Sequence, residues 1–147
     1  MIFLDTNMFL RYLVAPSPDN PNGERHHEVA TDIFRAVADG REEITTTEVV
    51  LHEVCYILSS PRQYRFPVPK IVEAMTDIVR LPGFHLPRGE KRLVLRAFEI
   101  YLAYPKIEFA DSLIAARAER LEIPLATFDE ALGRLPMVTR WQPPAGD

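Results

Sequence analysis

The sequence predicts an α/β fold in which a short parallel sheet is covered by helices on both faces. Short apolar runs alternate with longer segments of helical periodicity, and the 13 prolines fall between these segments. Alternation of this kind is typical of parallel strands joined by helices. Because 147 residues match the commonest domain size, we expect one domain over residues 1–142 and a frayed tail over 143–147.

The predicted elements follow from where these patterns change along the chain. The apolar run Ile2-Phe3-Leu4 predicts a strand over 2–5, and a polar loop separates predicted helices at about 7–14 and 25–39. Further helices are predicted at about 47–59, 68–80, 90–103 and 109–122. Short apolar runs predict strands near 43–45, 84–86, 124–127 and 137–139, with Val138-Thr139-Arg140-Trp141 as the last strand segment.

Composition indicates a globular protein of a reducing compartment. Apolar residues make up 47% of the chain and charged residues 26%, which excludes the depleted composition of disordered chains. A single cysteine, Cys55, excludes an intrachain disulfide, and its apolar neighbours predict a buried thiol. Neither a signal peptide nor a run of about 20 apolar residues is present, so we expect a cytoplasmic protein without a membrane span.

The net charge of −4 argues at first against a nucleic-acid ligand, since such domains usually carry a basic face. The net charge conceals an uneven distribution of acidic and basic residues along the chain. Setting aside the four acids discussed below leaves 17 acidic and 17 basic residues. Two basic clusters hold phosphates or form a solvated face: Arg62, Arg65 and Lys70, and Arg88, Lys91, Arg92 and Arg96.

Two carboxylates follow apolar runs at predicted strand ends. Asp5 comes after Ile2-Phe3-Leu4, and Asp129 comes shortly after Leu125-Ala126-Thr127. Open parallel sheets bind ligands beyond the carboxyl ends of their strands, so neighbouring strands would bring both acids into one crevice. The alternative for each is an N-cap of the following helix.

Two further acids lie on predicted helices. Glu53 has Val49, Val50, Tyr56 and Ile57 one turn away, which predicts a buried carboxylate that must be paired, protonated or bound to a cation. Asp111 falls in the first turn of its helix, where the helix dipole stabilises an anion, and Glu108 shares its face. Glu48 fits a capping box with Thr45. Because gathered carboxylates repel one another, this pattern predicts a divalent-cation site.

Other kinds of site do not fit the sequence. His52-Glu53-Val54-Cys55-Tyr56 resembles the start of a zinc-protease helix, but Tyr56 stands where the second histidine is required. The adjacent His26 and His27 cannot converge on one ion from a helix, which favours surface roles. No glycine-rich phosphate loop is present.

Four segments together resemble the PIN-domain ribonucleases, specifically the VapC-type toxins of type II toxin–antitoxin operons. The matching segments, in family order, are Ile2-Phe3-Leu4-Asp5-Thr6-Asn7, Val49-Val50-Leu51-His52-Glu53-Val54, Phe109-Ala110-Asp111-Ser112-Leu113-Ile114-Ala115-Ala116 and Leu125-Ala126-Thr127-Phe128-Asp129. The chain departs from many relatives at Glu108, where they have aspartate, and in its Pro/Asn-rich segment 16–23.

The resemblance implies a PIN-like three-layer α/β/α sandwich and a metal-dependent endoribonuclease. It assigns the metal and catalytic roles to Asp5, Glu53, Asp111 and Asp129, and supporting roles to Thr6, Asn7 and Thr127, with Glu108 beside them. The implied reaction is hydrolysis of an RNA phosphodiester by a water activated by one or two Mg²⁺ ions, with Mn²⁺ as the alternative. Implied partners are an RNA substrate and a cognate antitoxin protein.

Two alternatives remain open at the level of sequence. A structure-specific DNA nuclease would share the acids but not the substrate, and a non-catalytic PIN-like interaction module would share only the fold. We also expect a homodimer with a groove for a partner helix, because the helices with Leu51-Val54-Leu58 and Ile71-Met75-Val79 carry more apolar surface than a small sheet can cover.

Overall fold

A computed structural model describes residues 1–145 and divides the chain into two compact units. The first unit spans Met1–Lys91, and the second begins at Arg92. The prediction of one domain over 1–142 stays a prediction. Of the predicted frayed tail, residues 143–145 have no regular secondary structure, and 146–147 lie outside the described residues.

The first unit contains a three-stranded parallel sheet of very short strands. These are β1 (Ile2–Phe3), β2 (Ile44–Thr45) and β3 (Phe84–His85), in the order β1-β2-β3. Ile44 pairs with Ile2 on one side and with Phe84 on the other. The predicted strands at 2–5, 43–45 and 84–86 are therefore confirmed with shorter bounds. Ile44 and Phe84 are fully buried, as expected of a parallel sheet covered by helices.

Two threonine hydroxyls extend the connections of the central strand beyond its backbone ladder. Thr45 Oγ1 donates to the carbonyl of His85 at 2.7 Å, at the end of β3. The buried Thr46 Oγ1 donates to the carbonyl of Leu4 at 2.8 Å, directly after β1. These two hydrogen bonds thus join the carboxyl ends of all three strands.

Four helices complete the first unit, close to their predicted bounds: α1 (Thr6–Leu13), α2 (Gly23–Ala38), α3 (Glu48–Ser59) and α4 (Val68–Val79). α1 packs against α2 through Phe34, whose ring lies 5.6 Å from that of Phe9 and stacks on Tyr12 at 4.3 Å. Cys55 is buried in α3 as predicted, and this burial raises the pKa of its thiol far above the ordinary range.

Within its described residues the second unit is mainly helical. Its helices are α5 (Glu90–Ala103), which begins two residues before the unit boundary, α6 (Phe109–Leu121) and α7 (Glu130–Gly133). Phe98 of α5 stacks on Phe109 of α6 with ring centroids 4.5 Å apart. Arg96 also joins these helices, with a bidentate ion pair to Glu119 at 2.8 and 2.9 Å.

The predicted strands at 124–127 and 137–139 do not form as regular strands. A single parallel bridge pairs Leu125 with Arg140. The chain turns directly after this bridge, where the hydroxyl of Thr127 accepts a hydrogen bond from the backbone N–H of Asp129 at 3.0 Å. This turn leaves too few residues to extend the ladder.

Across residues 1–145, the structure has no helix with both the length and the apolar character that a bilayer crossing requires.

We predict that Thr46→Val destabilises the protein by about 1–3 kcal/mol, because valine keeps the volume but leaves the buried Leu4 carbonyl without its hydroxyl donor. Urea unfolding monitored by circular dichroism measures the loss. Thr139→Val is the matched control, since Thr139 is exposed, and it should change the free energy of unfolding by less than about 0.5 kcal/mol. Equal stability of the two variants would contradict the prediction.

Candidate functional site

The four predicted metal-site acids are divided equally between the two units. Asp5 and Glu53 belong to the first unit, whereas Asp111 and Asp129 belong to the second. Within the described residues of each unit, no three His, Cys, Asp or Glu side chains are grouped as a metal site. The convergence of the four acids therefore stays a prediction.

Asp5 is exposed and caps α1 directly after β1. Its Oδ1 accepts a hydrogen bond from the backbone N–H of Thr6 at 2.7 Å. The N-cap that the sequence offered as an alternative is therefore real. It does not exclude a ligand role, since the cap engages Oδ1 and leaves Oδ2 outside it.

Asp129 repeats this arrangement at α7. Its Oδ1 accepts from the backbone N–H of Leu132 at 3.0 Å, and its own N–H donates to Thr127 Oγ1 at 3.0 Å. Thr127 thus supports the backbone of Asp129 rather than its carboxylate. As at Asp5, the cap uses a single carboxylate oxygen.

Arg140 holds the turn that carries Asp129. Its guanidinium donates to the Thr127 carbonyl at 3.1 Å and to both carboxylate oxygens of Glu130 at 3.1 Å. Hydrogen bonding between these two side chains raises the pKa of Arg140 and lowers the pKa of Glu130. The guanidinium lies over Gly133, where an added Cβ would meet Arg140 Cζ at 3.1 Å. Arg140 thus hydrogen-bonds Thr127, which precedes Asp129, and Glu130, which follows it.

Asp111 is half-buried in the first turn of α6, as predicted. Its Oδ2 accepts a hydrogen bond from the backbone N–H of Glu108 at 3.1 Å, which closes the first turn of the helix. Glu108 is exposed at the N-cap, and its carbonyl accepts from the hydroxyl of Ser112 at 3.3 Å. The two acids share a helix start, as expected.

The prediction that Glu53 is buried is wrong. α3 buries the opposite strip, which consists of Leu51, Val54, Cys55 and Leu58. Glu53 is exposed, as are its apolar neighbours Val49 and Tyr56, at 73% and 55% of their full areas. Apolar neighbours show that residues share a helix face, but they do not show which face the protein covers. Glu53 therefore faces solvent and needs no buried partner for its charge.

The capping box predicted for Thr45 and Glu48 is also wrong. The N-cap of α3 is Thr47, whose hydroxyl accepts from the backbone N–H of Val50 at 3.4 Å. Because the helix begins at Glu48, Thr45 lies outside it in β2 and donates to His85 instead.

The donor set fits a hard divalent cation. Carboxylate and hydroxyl oxygens are the ligands such ions prefer, and the capping acids each retain one oxygen outside the cap. Thr6 adds an independent observation, since its Oγ1 is buried and lacks a hydrogen-bond partner within the described part of the chain. A buried hydroxyl without a partner is costly, and this one belongs to the residue that directly follows Asp5. Asn7 is exposed beside them.

The two predicted basic clusters differ in structure. In the second cluster, Arg96 is bound to Glu119 and Glu99, and Lys91 donates to the backbone carbonyls of Leu81 and Phe84. These two side chains have structural roles. In the first cluster Arg62, Arg65 and Lys70 are all exposed, although Arg65 Nε donates to the Pro61 carbonyl at 2.6 Å and Lys70 Nζ lies 3.9 Å from the centre of the Phe66 ring.

Sequence reasoning missed a cavity of about 250 Å³ in the first unit. Arg11 of α1, His27 of α2, and Gln63 and Tyr64 of the α3–α4 turn are among its lining residues, and Asn7 lies on its wall. Three separate segments contribute, so no spacing along the chain could have indicated it. The nearest indication was the basic cluster that begins at Arg62.

Comparison with known proteins identifies the family. The chain matches the PIN domain family over residues 2–137. No curated protein matches it. The family match confirms the predicted fold class, an α/β/α sandwich with a short parallel sheet, and PIN domains are generally Mg²⁺-dependent nucleases. With nearly its whole length matched, the chain belongs to the PIN-domain family.

Proposed function

We propose that the protein is a metal-dependent endoribonuclease and the cytoplasmic toxin of a toxin–antitoxin pair. One observation supports this above all: the PIN match covers residues 2–137, and the chain has an acid at each of the four positions that the resemblance assigns to the metal site. These positions are Asp5, Glu53, Asp111 and Asp129. RNA is the proposed substrate, with one or two Mg²⁺ or Mn²⁺ ions as cofactor.

The local structure supports this role by fixing the acids before any ligand arrives. Asp5, Asp111 and Asp129 each accept a backbone N–H at the start of a helix, which restricts the rotation of the side chain. The positive end of each helix dipole also stabilises the carboxylate. Little ordering entropy remains to be lost when a cation binds.

The chain itself supplies ligands and orientation rather than a nucleophile. In this proposal the four carboxylates hold the cation, and Thr6, Asn7 and Thr127 orient the acids or the water, with Glu108 next to Asp111. The chemistry that Mg²⁺ or Mn²⁺ supplies when bound is activation of water and stabilisation of charge on the phosphate. Glu53 is more exposed than Glu48 on the same helix, so its carboxylate is accessible to a hydrated cation.

We predict that Asp5→Asn, Glu53→Gln, Asp111→Asn and Asp129→Asn each lower metal-dependent RNA cleavage by at least about 100-fold, the upper range for losing a residue that supports a metal ligand. Folding should survive, because asparagine is as good an N-cap as aspartate and Glu53 is exposed. Cleavage of a labelled RNA with Mg²⁺ or Mn²⁺ measures the effect.

Glu48→Gln is the matched control on α3, and it should retain cleavage within about threefold, since the family resemblance gives it no ligand role. Full activity of Glu53→Gln together with loss in Glu48→Gln would contradict the assignment on this helix. Cleavage of DNA in place of RNA by the wild-type protein would contradict the proposed substrate.

We further predict that Mn²⁺ stabilises the wild-type protein more than Asp129→Asn. A cation that binds only the folded state adds about 2.7 kcal/mol at 100 times its Kd, and losing one ligand weakens that binding. Thermal melting of each protein in chelator and in Mn²⁺ gives the rise in melting temperature that the ion causes in the wild type and in the variant. Identical melting temperatures in the two buffers for both proteins would mean that the acids do not form a shared cation site.

A homodimer and an antitoxin complex are part of the proposal, although the first reason for expecting them was wrong. Leu51, Val54 and Leu58 are buried within the monomer, and so are Ile71, Met75 and Val79. Exposed apolar side chains lie elsewhere, with Val49 and Tyr56 on α3 and Val29 beside Met8 in a groove of the first unit. These side chains support a protein partner.

We therefore expect the purified protein to sediment as a dimer at micromolar concentration and a neighbouring antitoxin gene product to inhibit its RNA cleavage. Analytical ultracentrifugation and an inhibition assay measure the two properties separately. A clean monomer would rule out the dimer, and unimpeded cleavage with excess gene product would rule out the antitoxin.

A further inference from the structure

We infer that the cavity lined by Arg11, His27, Gln63 and Tyr64 binds one nucleotide of a single-stranded RNA, with the base against Tyr64 and a phosphate at Arg11. The identity of the ligand as RNA rests on the proposed function. The cavity itself lies entirely within the first unit, and none of the four proposed metal-site acids lines it.

The size of the cavity suits one nucleotide unit. Its volume of about 250 Å³ lies just below the range of roughly 300–1,000 Å³ that is usual for pockets holding drug-sized ligands. Its walls combine apolar side chains, such as Leu10 and Ile57, with amide and cationic groups. A nucleobase needs this combination, because its faces are apolar and its edges carry hydrogen-bonding groups.

The α3–α4 turn holds Tyr64 and Gln63 at the cavity in a fixed conformation. The N–H groups of Gln63 and Arg65 both donate to the Ser60 carbonyl, at 3.0 and 3.1 Å, and Phe66 N–H donates to Leu58 at 2.8 Å. Arg65 adopts a left-handed conformation with φ of 52°, which costs a non-glycine residue energy that these bonds offset. Tyr64 keeps 41% of its area exposed, so its ring is available for stacking.

Arg11 is the one arginine or lysine among the residues that line the cavity, and it also lines the groove that contains Met8 and Val29. Its backbone carbonyl accepts a hydrogen bond from His27 Nδ1 at 2.7 Å, which requires the proton on Nδ1 and leaves Nε2 as the acceptor of the neutral ring. Within residues 1–145 the guanidinium of Arg11 forms no ion pair. A half-buried cation without an acidic partner favours an anionic ligand such as a phosphodiester.

The surroundings favour a nucleic-acid strand over a small isolated ligand. Asn7 lines the cavity and follows Asp5 by two residues, so the wall of the cavity includes a residue close in sequence to a proposed metal-site acid of the same unit. Arg62 and Arg65 are exposed on the same turn as Tyr64, where they can contact the phosphates of a continuing strand. A nucleotide bound in the cavity would place the adjacent nucleotides of its strand near Arg62 and Arg65.

The test is the affinity for a fluorescein-labelled single-stranded oligoribonucleotide, measured by fluorescence anisotropy in Ca²⁺ buffer at several salt concentrations. Tyr64→Ala should weaken binding by about tenfold or more, the loss typical of one stacked base, whereas Tyr64→Phe keeps the ring and should stay within about twofold. Arg11→Gln should lower the slope of log K against log salt by about 1. Arg35→Gln, on the exposed surface of α2, is the charge-matched control and should leave the affinity within about twofold.

A second measurement needs no variant. Ultraviolet crosslinking of the wild-type complex should attach the RNA to the peptide that contains Tyr64. Wild-type affinity in both Tyr64→Ala and Arg11→Gln, or crosslinks confined to other segments, would overturn the nucleotide site. Variants that bind RNA normally but escape inhibition by an antitoxin would overturn it too, because the cavity would then serve a protein partner.

Failure of this site and failure of the proposed function give different results. If the protein binds RNA through Tyr64 and Arg11 but cleaves no RNA in Mg²⁺ or Mn²⁺, the nucleotide site would stand and the nuclease proposal would be rejected. If the wild-type protein cleaves RNA and all of these variants bind and cleave RNA as well as it does, the nuclease proposal would stand and the nucleotide site would be rejected.

Discussion

Strands of two residues form too few backbone hydrogen bonds to fix a sheet. The sheet of the first unit depends in addition on two threonine hydroxyls, at the last residue of β2 and at the residue after it. Thr45 and Thr46 bind the carbonyls at the ends of β3 and β1. The Leu4 carbonyl directly precedes Asp5, so the Thr46 hydroxyl that joins the strands also holds the backbone next to the residue that caps α1. One hydrogen bond thus stabilises both the sheet and the backbone beside the first acid.

Helix capping and cation binding are not competing roles for these acids. A cap needs one carboxylate oxygen in line with a backbone N–H, and a cation needs an oxygen lone pair that points elsewhere. Asp5 and Asp129 satisfy the first requirement with Oδ1 alone. Sequence patterns present these as alternatives because both roles select the same residue type at the same place.

The helix bounds and three strands could be predicted because they depend on local periodicity and proline positions, whereas the errors came from information that local patterns lack. Glu53 was expected to be buried because apolar residues flank it, yet α3 packs through the other strip. The bridge at Leu125 is short for a local reason that the apolar run conceals, because the chain turns between Thr127 and Asp129. Tyr64 and Arg11 come from distant segments, so only the folded chain brings them to one cavity.

Arg140 and Gly133 illustrate a dependence between two positions that neither residue shows alone. Gly133 is favoured here by the neighbouring guanidinium and not by its own backbone angles, since a Cβ at this position would lie 3.0 to 3.1 Å from three Arg140 atoms and would force Arg140 to shift. A smaller residue at 140 would free that space and would also release Thr127 and Glu130. Among relatives of this chain, these two positions should therefore covary, with a side chain larger than glycine at 133 accompanied by the absence of arginine at 140.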